Sequence, residues 1–575
     1  MSLYGSHCAD GVSEHQLPKA PQACITCRKQ KRKCSKSLPA CALCQRMNRH
    51  CDYSDSAPAP TSEDFNALRM KLAELESRLR YGERNFAPIH ADAVTPGSRL
   101  SSHDEPIRQL QQISTYYPPH EASWPGIRSK FPSIAFLHGL AFSSGRISVP
   151  RPNFNTPPDI LEILGCGSTV EASTAKYFAS VHQWMPILYK EKLIRSLVKP
   201  LWEIEPDLCL LFLCIKLIVT RPKDCFDCSQ NELYLAAKRF IVLAESIGLI
   251  SLYVLQANIL ITIYEYGHAI YPAAWMSSGW SVRYGNLLGI NGDKAAIDLI
   301  GKSVCYTLRK MDQEENRRAW WGVLLVDRII SIGNMGYIVN PQEPQEEDLL
   351  PADENSWEKG ELSSIPQFTV STPISEHVTS FPRLCQAYML MGQVMSHHKG
   401  YIVSESSRFT KASQLYAKIS DLARKISEEL LISKDFFSLI SPLALAFSSI
   451  CYLCNPYCCL DNISNEEQKQ IQTQATDGLK TIAISIIDFA DQVNIATQTV
   501  QDLDRVSPFI MDGIYAGSLT LAWLTRENGD ESYQAGLGSL RQCLIKLSTR
   551  WRNAAEYVRI LEAHEFAFAL AQNST

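Results

Sequence analysis

Six cysteines near the amino terminus have the spacing of metal ligands. The spacing is C-x2-C-x6-C-x6-C-x2-C-x6-C, so each half is a CxxC pair followed by a third cysteine. The six residues are Cys24, Cys27, Cys34, Cys41, Cys44 and Cys51. A CxxC pair can place two thiolates on one tetrahedral ion such as zinc, and the third cysteine can approach from the following turn. Two separate tetrahedral ions need eight sulfurs, so six sulfurs hold two ions only if two of them bridge both.

Cations fill the positions between these cysteines. Five of the six residues between Cys27 and Cys34 are Lys or Arg, and no acidic residue lies between Cys24 and Cys51. The cations of the whole segment are Arg28, Lys29, Lys31, Arg32, Lys33, Lys36, Arg46 and Arg49. With six thiolates and two Zn²⁺ the segment carries about +6, whereas the whole chain is formally −4 and the rest of it therefore about −12. A small cationic head on an acidic body is typical of a protein that binds a polyanion.

This pattern resembles the fungal binuclear zinc cluster, in which six cysteines hold two zinc ions in fungal transcription factors. Pro39, two residues before Cys41, matches the proline of the loop that joins the two halves. The resemblance implies that Cys24 and Cys41 bridge both ions, that Cys27 and Cys34 complete one site, and that Cys44 and Cys51 complete the other. The alternatives are a structural zinc knuckle that binds protein, and a disulfide framework. A basic run among the thiols, with no signal peptide before it, favours a reducing compartment.

The resemblance also implies contacts with double-stranded DNA that contains CGG-type half-sites. Lys31 lies four residues after Cys27, where the family has its main base-reading lysine, and Gln30 occupies a position that is often basic. We therefore expect Lys31 to contact base edges and Gln30 to affect the preferred triplet. Phosphate contacts, which position a protein without specifying sequence, are expected from Arg28, Lys29, Arg32, Lys33 and Arg46. The basic run at 28–33 could also serve as a nuclear import signal, so we expect a nuclear protein.

Residues 64–81 have the period of a coiled-coil helix. Apolar residues recur at spacings of three and four, at Phe65, Leu68, Leu72, Leu75 and Leu79. Two and a half heptads also suit a helix that packs on its own domain. Behind a zinc cluster, this segment resembles the family's dimerisation helix, so we expect a homodimer.

Composition predicts a mainly α chain with one small metal module. The expected segments are a disordered arm (1–22), the zinc module (23–52), a linker (53–63), the coiled coil (64–81), a partly disordered linker (82–155) and a helical regulatory domain (156–575). From about residue 156 the chain is densely helical, with strongly apolar helices predicted over Gln230–Ile247 and Leu252–Tyr266, followed by the segment Ala274–Gly289. Amphipathic patterns predict further helices, for example Ser413–Leu431, Gln472–Val493 and Ser539–Ala563. The longest apolar stretches noted, such as Leu208–Val219, are shorter than a membrane span, so no membrane partner is expected.

The helical part resembles, more loosely, the middle homology region of the same family over residues 160–470. The matching positions are Trp275, Arg283, Gly289, Arg317, Arg318, Trp320, Trp321, Asp327, Arg328 and Pro351. In the segment 314–328, Arg317 and Arg318 could bind an anion beside Trp320 and Trp321. The alternative is a packed helix in which Asp327 and Arg328 pair with other helices. Two further CxxC pairs, Cys225–Cys228 and Cys451–Cys454, and His182 suit packing better than a second metal or redox site.

These features predict a sequence-specific DNA-binding regulator of RNA polymerase II transcription that works with the transcription machinery. Loose similarity of the middle region favours control of a metabolic or secondary-metabolite gene cluster. The rival hypothesis is an enzyme or a ligand-binding helical protein with an appended structural zinc module. The helical part has no nucleophile elbow, phosphate loop, HExxH or dinucleotide fingerprint, so we expect no enzyme. A zinc buffer or scaffold is a second rival, but it would need no acid-free basic segment.

Overall fold

The chain is described here from a computed structural model. The structure describes residues 19–20, 22–30, 32–54, 131–138, 142, 149, 151–222, 227–291, 309–333, 343–362, 366–399, 405–433, 435–460 and 465–573. Lys31 and the predicted coiled coil over 64–81 lie outside these residues. The chain divides into two compact units, Met1–Thr115 and Tyr116–Thr575.

The described part of the first unit is the cysteine module. It contains two one-turn helices, α1 (Ile25–Lys29) and α2 (Ala42–Arg46), and an isolated bridge between Lys19 and Ser37. The backbone N–H of Ala20 donates to the carbonyl of Lys36 at 2.7 Å. Lys19 and Ala20 therefore contact the module, although they precede the predicted boundary at residue 23.

The described part of the second unit consists of helices and connecting segments, with an isolated bridge between Leu349 and Thr369. Its helices are α3 (Ile134–Leu137), α4 (Pro158–Leu164), α5 (Gly167–Ala179), α6 (Lys190–Ser196), α7 (Pro206–Val219), α8 (Glu232–Ile247), α9 (Leu252–Gly267), α10 (Ala273–Leu288), α11 (Lys310–Ser331), α12 (Glu354–Glu358), α13 (Ser380–Lys399), α14 (Glu405–Ile432), α15 (Phe436–Cys458), α16 (Glu466–Ala496), α17 (Val500–Arg505), α18 (Ile510–Asn528), α19 (Glu531–Ser548) and α20 (Asn553–Asn573). Three 3₁₀ turns, Val181–Gln183, Leu201–Glu203 and Cys228–Gln230, join some of them. This confirms the predicted mainly α fold.

Residues at the helix termini determine where several of these helices begin and end. The carboxamide of Asn231 accepts from the backbone N–H of Leu233 at the start of α8, and Ser251 accepts from Val254 at the start of α9. At the end of α8, Gly248 has a left-handed backbone with φ 72°, which costs a glycine little. The predicted helices over 230–247 and 252–266 are therefore present with similar limits.

The core of the second unit surrounds α7, α9 and α15. Helix α7 packs against α5, α8 and α9, and every residue of α7 except Lys216 is buried. The Lys216 ammonium reaches the carbonyl of Ile163 at 2.7 Å, so its stem crosses apolar surface while its charge is hydrogen-bonded. Helix α15 packs against α13, α14, α16 and α18.

Helix α15 is the one described helix that is long and apolar enough to cross a membrane. It has 23 residues, and 83% of its most apolar window is buried inside the protein. Its apolar side chains therefore pack against neighbouring helices, as in the core helix of a helical domain.

The predicted helix over Ser539–Ala563 is wrong, because the chain forms two helices there with a turn at 549–552. Within the turn, Arg550 donates to the carbonyl of Ile218 at 2.6 Å and the Trp551 indole donates to the carbonyl of Val506 at 2.9 Å. The fully buried Trp551 ring also fills the space beside Gly267 of α9, where an added Cβ would lie 2.4 Å from it. These distant contacts select the turn over a continuous helix.

Candidate metal centre

The two CxxC pairs are held by two equivalent helical turns. Cys24 precedes α1, which contains Cys27, and Cys41 precedes α2, which contains Cys44. Each helix is followed by the same backbone hydrogen bond. The N–H of Arg32 donates to the carbonyl of Cys27 at 3.0 Å, and the N–H of Arg49 donates to the carbonyl of Cys44 at 2.9 Å. The module is thus a repeat with a period of 17 residues, and the two halves present their sulfurs in the same way.

The sulfurs of the six cysteines converge into two overlapping groups. Within each group, all four sulfurs lie within 4.8 Å of one another. One group is Cys24, Cys27, Cys34 and Cys41, and the other is Cys24, Cys41, Cys44 and Cys51. Cys24 and Cys41 belong to both groups, which places the two residues expected to bridge at the centre of the module.

The sulfur spacing fits two tetrahedral zinc ions. Four sulfurs at about 2.3 Å from one Zn²⁺ lie about 3.8 Å apart along the edges of the tetrahedron. Cys24 Sγ lies 3.8 Å from Cys41 Sγ and 3.7 Å from Cys44 Sγ, and Cys27 Sγ lies 3.7 Å from Cys41 Sγ. The donor set is all thiol, as in structural zinc sites that leave no open coordination position. The module is therefore suited to a structural metal role.

Burial disfavours the charged form of Cys24, Cys27 and Cys44. Cys24, Cys27, Cys41 and Cys44 are at most 2% exposed. Burial among the other sulfurs raises the pKa of the Cys44 thiol to about 12 and also raises the pKa of Cys27. At Cys41 burial also pushes the pKa upward, but hydrogen bonds from Cys44 and Cys27 outweigh it and lower the pKa of that thiol to about 6. Zinc, when bound, stabilises the thiolate forms and links the two halves.

Groups around the sulfurs complete the module. The N–H of Cys41 lies 3.2 Å from Cys51 Sγ, and the Tyr53 hydroxyl lies 3.8 Å from Cys34 Sγ while donating to the carbonyl of Ser37 at 3.2 Å. Tyr53 belongs to the predicted linker (53–63), so contacts of the module extend past its predicted end at residue 52. The available signal was an aromatic residue two positions after the last ligand, where a module without a hydrophobic core needs packing.

The residues expected to contact DNA are on the surface of this module. The side chains of Arg28, Lys29, Gln30, Arg32, Lys33 and Arg46 are all exposed. Lys31, the expected base-reading residue, lies outside the described residues. The dimerisation residues Phe65, Leu68, Leu72, Leu75 and Leu79 also lie outside them. The structure thus places a set of exposed cations on a rigid, sulfur-centred module.

The segment at 314–328 forms a packed helix. Arg318 in α11 is fully buried; it donates to Glu314 at 2.9 Å and to the carbonyl of Ala352 at 2.5 Å, and its guanidinium lies 4.2 Å from the Trp357 ring centroid. Arg317 also pairs with Glu314. Since Arg318 is occupied by protein groups, these contacts favour the packing alternative over an anion grip.

Asp327 and Arg328 also contact other helices. Ser278 of α10 donates to Asp327 at 3.2 Å. Arg328 donates to the carbonyl of Tyr388 at 2.8 Å, pairs with Glu343, and lies over the Tyr388 ring at 3.9 Å. These contacts tie α11 to α10 and α13.

The remaining candidates for a second metal or redox site are packed. Cys451 and Cys454 are buried in α15, and Cys228 is buried, whereas Cys225 lies outside the described residues. The buried His182 lies 3.4 Å from the Glu358 carboxylate, and burial lowers its pKa. Among the described residues, the groups with metal-ligand geometry are the two in the cysteine module.

Comparison with known proteins agrees with both parts of the chain. The sequence profile of the family "Fungal Zn(2)-Cys(6) binuclear cluster domain" matches residues 22–60. The profile of the family "Fungal specific transcription factor domain" matches residues 175–477, just over half of the chain.

Two curated proteins illustrate the similarity. Transcription factor BOA15 of Botryotinia fuckeliana is 39% identical over 134 residues, which are 23% of this chain and 74% of that protein. The pigment biosynthesis transcriptional activator pigB of Monascus ruber is 24% identical over 419 residues, which are 69% of this chain and 73% of that protein.

The sulfur geometry and these comparisons lead to one conclusion about the module and the chain. The cysteine module is a Zn(2)-Cys(6) cluster that takes two zinc ions and binds DNA. The helical unit contains the domain that accompanies this cluster in fungal regulators of transcription. The chain therefore belongs to the family of fungal-specific transcription factors with an amino-terminal binuclear zinc cluster.

Proposed function

We propose that this protein binds CGG-type DNA triplets as a homodimer in the nucleus and regulates the transcription of a secondary-metabolite gene cluster. The observation that carries the proposal is the pair of sulfur groups that share Cys24 and Cys41. Two ions held there would fix the positions of both helical turns. The exposed cations of the module would then be positioned to contact the DNA backbone. The protein would act by binding rather than by catalysis.

The proposed roles follow the position of each residue. Cys24 and Cys41 would bridge the ions, with Cys27 and Cys34 on one and Cys44 and Cys51 on the other. Lys31 would contact base edges. The exposed cations would contact phosphates, which fix the register of the protein on the duplex: Arg28, Lys29, Arg32, Lys33 and Arg46.

The proposed pathway rests on similarity. The Monascus ruber protein is named as an activator of pigment biosynthesis, and its similarity extends over 69% of this chain. From this similarity we propose that this protein controls a gene cluster for a secondary metabolite.

Occupancy on the genome and selection from random DNA together test this proposal. We expect the full-length protein to select CGG-containing sites in vitro and to occupy the same sites in the promoters of neighbouring genes. Deletion of its gene should change the transcripts of those genes. Selection of no sequence from random DNA would refute sequence-specific binding, and occupancy scattered over unrelated single genes would refute control of a gene cluster.

The proposed dimer contact is tested by charges in the apolar seam. Leu72→Lys with Leu75→Lys places two cations in the contact, so we expect a monomer by analytical ultracentrifugation and loss of binding to two half-sites. Ala67→Lys with Ser77→Lys adds the same two charges at positions outside the seam and its flanks, and should leave the dimer intact. Both variants should keep two zinc ions per chain. A dimer that survives the seam variant would mean that residues 64–81 serve another contact.

A further inference from the structure

One side-chain hydrogen bond in the zinc module joins its two halves outside the sulfur cluster. Arg49 Nη1 donates to Gln30 Oε1 at 2.9 Å, and both side chains are exposed. Gln30 immediately follows α1, and Arg49 lies three residues after α2. The bond therefore connects the middle of the basic run (28–33) with the second half of the cluster.

Both ends of this bond are anchored on the cysteine turns. The N–H of Gln30 donates to the carbonyl of Thr26 at 3.2 Å, and the N–H of Arg49 donates to the carbonyl of Cys44 at 2.9 Å. Asn48, which precedes Arg49, has a positive φ of 47° that turns the chain. The backbone positions of the two residues are thus fixed by the same turns that hold the sulfurs.

The bond between Gln30 and Arg49 has no counterpart at the two positions that the internal repeat makes equivalent to them. With the 17-residue repeat, Gln30 corresponds to Met47 and Arg49 corresponds to Arg32. Met47 has no amide, so the reciprocal pair cannot form the same bond. The half that carries the basic run therefore has a glutamine held by an arginine of the other half, whereas the equivalent methionine cannot be held in this way.

The chemistry of arginine determines which end of the Gln30 amide is occupied. A guanidinium only donates hydrogen bonds, so the amide oxygen must face Arg49 and the NH₂ group must point elsewhere. A free glutamine reads adenine by accepting from N6 and donating to N7 at the same time. One lone pair of the Gln30 oxygen is engaged and the positive guanidinium lies beside it, which disfavours a second donor such as adenine N6 at that oxygen. The two N–H donors of Gln30 remain, and they match the N7 and O6 acceptors of guanine.

We propose that Arg49 is a positioning residue that converts Gln30 from an adenine reader into a hydrogen-bond donor that selects guanine at the base pair it faces. This inference rests on the proposed DNA-binding function of the same module and adds a specificity determinant to it. Arg49 acts here through Gln30, and its charge also attracts the DNA backbone, as any exposed cation of the module does.

The test compares base preference among variants of the full-length zinc-loaded protein. Arg49→Met removes the donor and one charge, whereas the control Arg46→Met removes one exposed charge from the same half without touching Gln30. Arg49→Lys restores a donor. Selection from random DNA identifies the site, and Gln30→Met identifies the base pair that Gln30 reads, since its preference should disappear there. Two zinc ions per chain in each variant show that the module is folded.

We expect the wild-type protein to prefer guanine over adenine at that base pair by about tenfold. Arg49→Met should abolish or reverse this preference, Arg46→Met should keep it while weakening binding to all sequences, and Arg49→Lys should retain most of it. Identical base preferences in Arg49→Met and Arg46→Met would overturn the inference. So would a Gln30→Met variant that loses affinity equally on all sequences, because Gln30 would then contact a phosphate. Selection of no sequence by the wild-type protein is a different result, which refutes the proposed function itself.

Discussion

Replacing a cysteine that belongs to both sulfur groups should remove more zinc than replacing a cysteine that belongs to one group. Cys27→Ala removes a sulfur that belongs to one group, so the group of Cys24, Cys41, Cys44 and Cys51 remains complete. Cys24→Ala removes a sulfur from both groups and leaves each with three. The two variants lie three residues apart in the same half, which makes them a matched pair.

The size of the effect follows from the number of sulfurs per ion. Structural zinc in small modules is held by roughly 10–16 kcal/mol, so each of four sulfurs supplies about 2.5–4 kcal/mol. Loss of one sulfur should weaken that ion by a factor of about 100 to 1,000. Against a chelator of intermediate affinity, the wild-type protein should keep two ions, Cys27→Ala one, and Cys24→Ala none.

Native mass spectrometry during chelator titration measures these counts directly. Cys166→Ala changes an exposed cysteine outside the module and should leave two ions. The sharing of sulfurs would be refuted if Cys24→Ala kept one tightly bound ion, as Cys27→Ala is expected to do. A wild-type content of one ion per chain would refute the binuclear assignment.

Three further outcomes are expected. Lys33→Ala should weaken binding to specific and random DNA about equally and reduce the slope of log affinity against log salt by about one, measured by fluorescence anisotropy. Gly392→Ala should destabilise the helical unit by about 2 kcal/mol in urea unfolding, because the added Cβ would lie 1.7 Å from Arg328 Nη1. The control is Gly538→Ala, also in a helix, whose added Cβ would meet no atom within 4 Å; it should be neutral or stabilising. Burial pushes the pKa of Asp504 upward, but Arg221, Lys176 and Arg550 outweigh it and hold that pKa below its ordinary value. The stability from Asp504 is therefore present above about pH 4 and lost as the pH falls through the lower folded pKa, so Asp504→Asn should lose about 3 kcal/mol at neutral pH and differ less from wild type in acid.

The zinc module was predictable because its determinants are local. The six ligands fall within 28 residues, and the tetrahedral ion itself dictates how their sulfurs must meet. Metal-ligand spacing gave no sign of the pairing of Lys19 with Ser37 or of the contact between Tyr53 and Cys34. Those contacts depend on how the flanking chain folds back, which no ligand pattern specifies.

In the helical unit, a helix could be predicted from the sequence where its own residues determine its position and limits. The helices over 232–247 and 252–267 follow apolar periodicity and local caps. The turn at 549–552 depends on Trp551 filling space beside Gly267, a residue far away in the sequence. Sequence periodicity contains no information about such a contact, so the predicted helix ran through the turn.

The same distinction explains the ambiguity of Arg318. Its pairing with Glu314 is a local i,i+4 contact that the sequence permits, but the carbonyls of Pro186 and Ala352 that surround it come from distant segments. Without those acceptors an arginine beside two tryptophans resembles a ligand-binding group. With them, it is part of the core of the helical unit.

The placement of arginines in the two units bears on how DNA affinity is divided between them. Arg318, Arg328, Arg383 and Arg550 are among the largest fully buried side chains, so the helical unit withholds these charges from its surface. The cations expected to contact DNA in the zinc module are exposed instead. Because the chain outside residues 24–51 also has an excess of acidic residues, its field should oppose rather than assist contact with phosphates. We therefore expect the electrostatic attraction to DNA to come from the module, and in the proposed dimer the strength and spacing of binding would depend on how two such modules are joined.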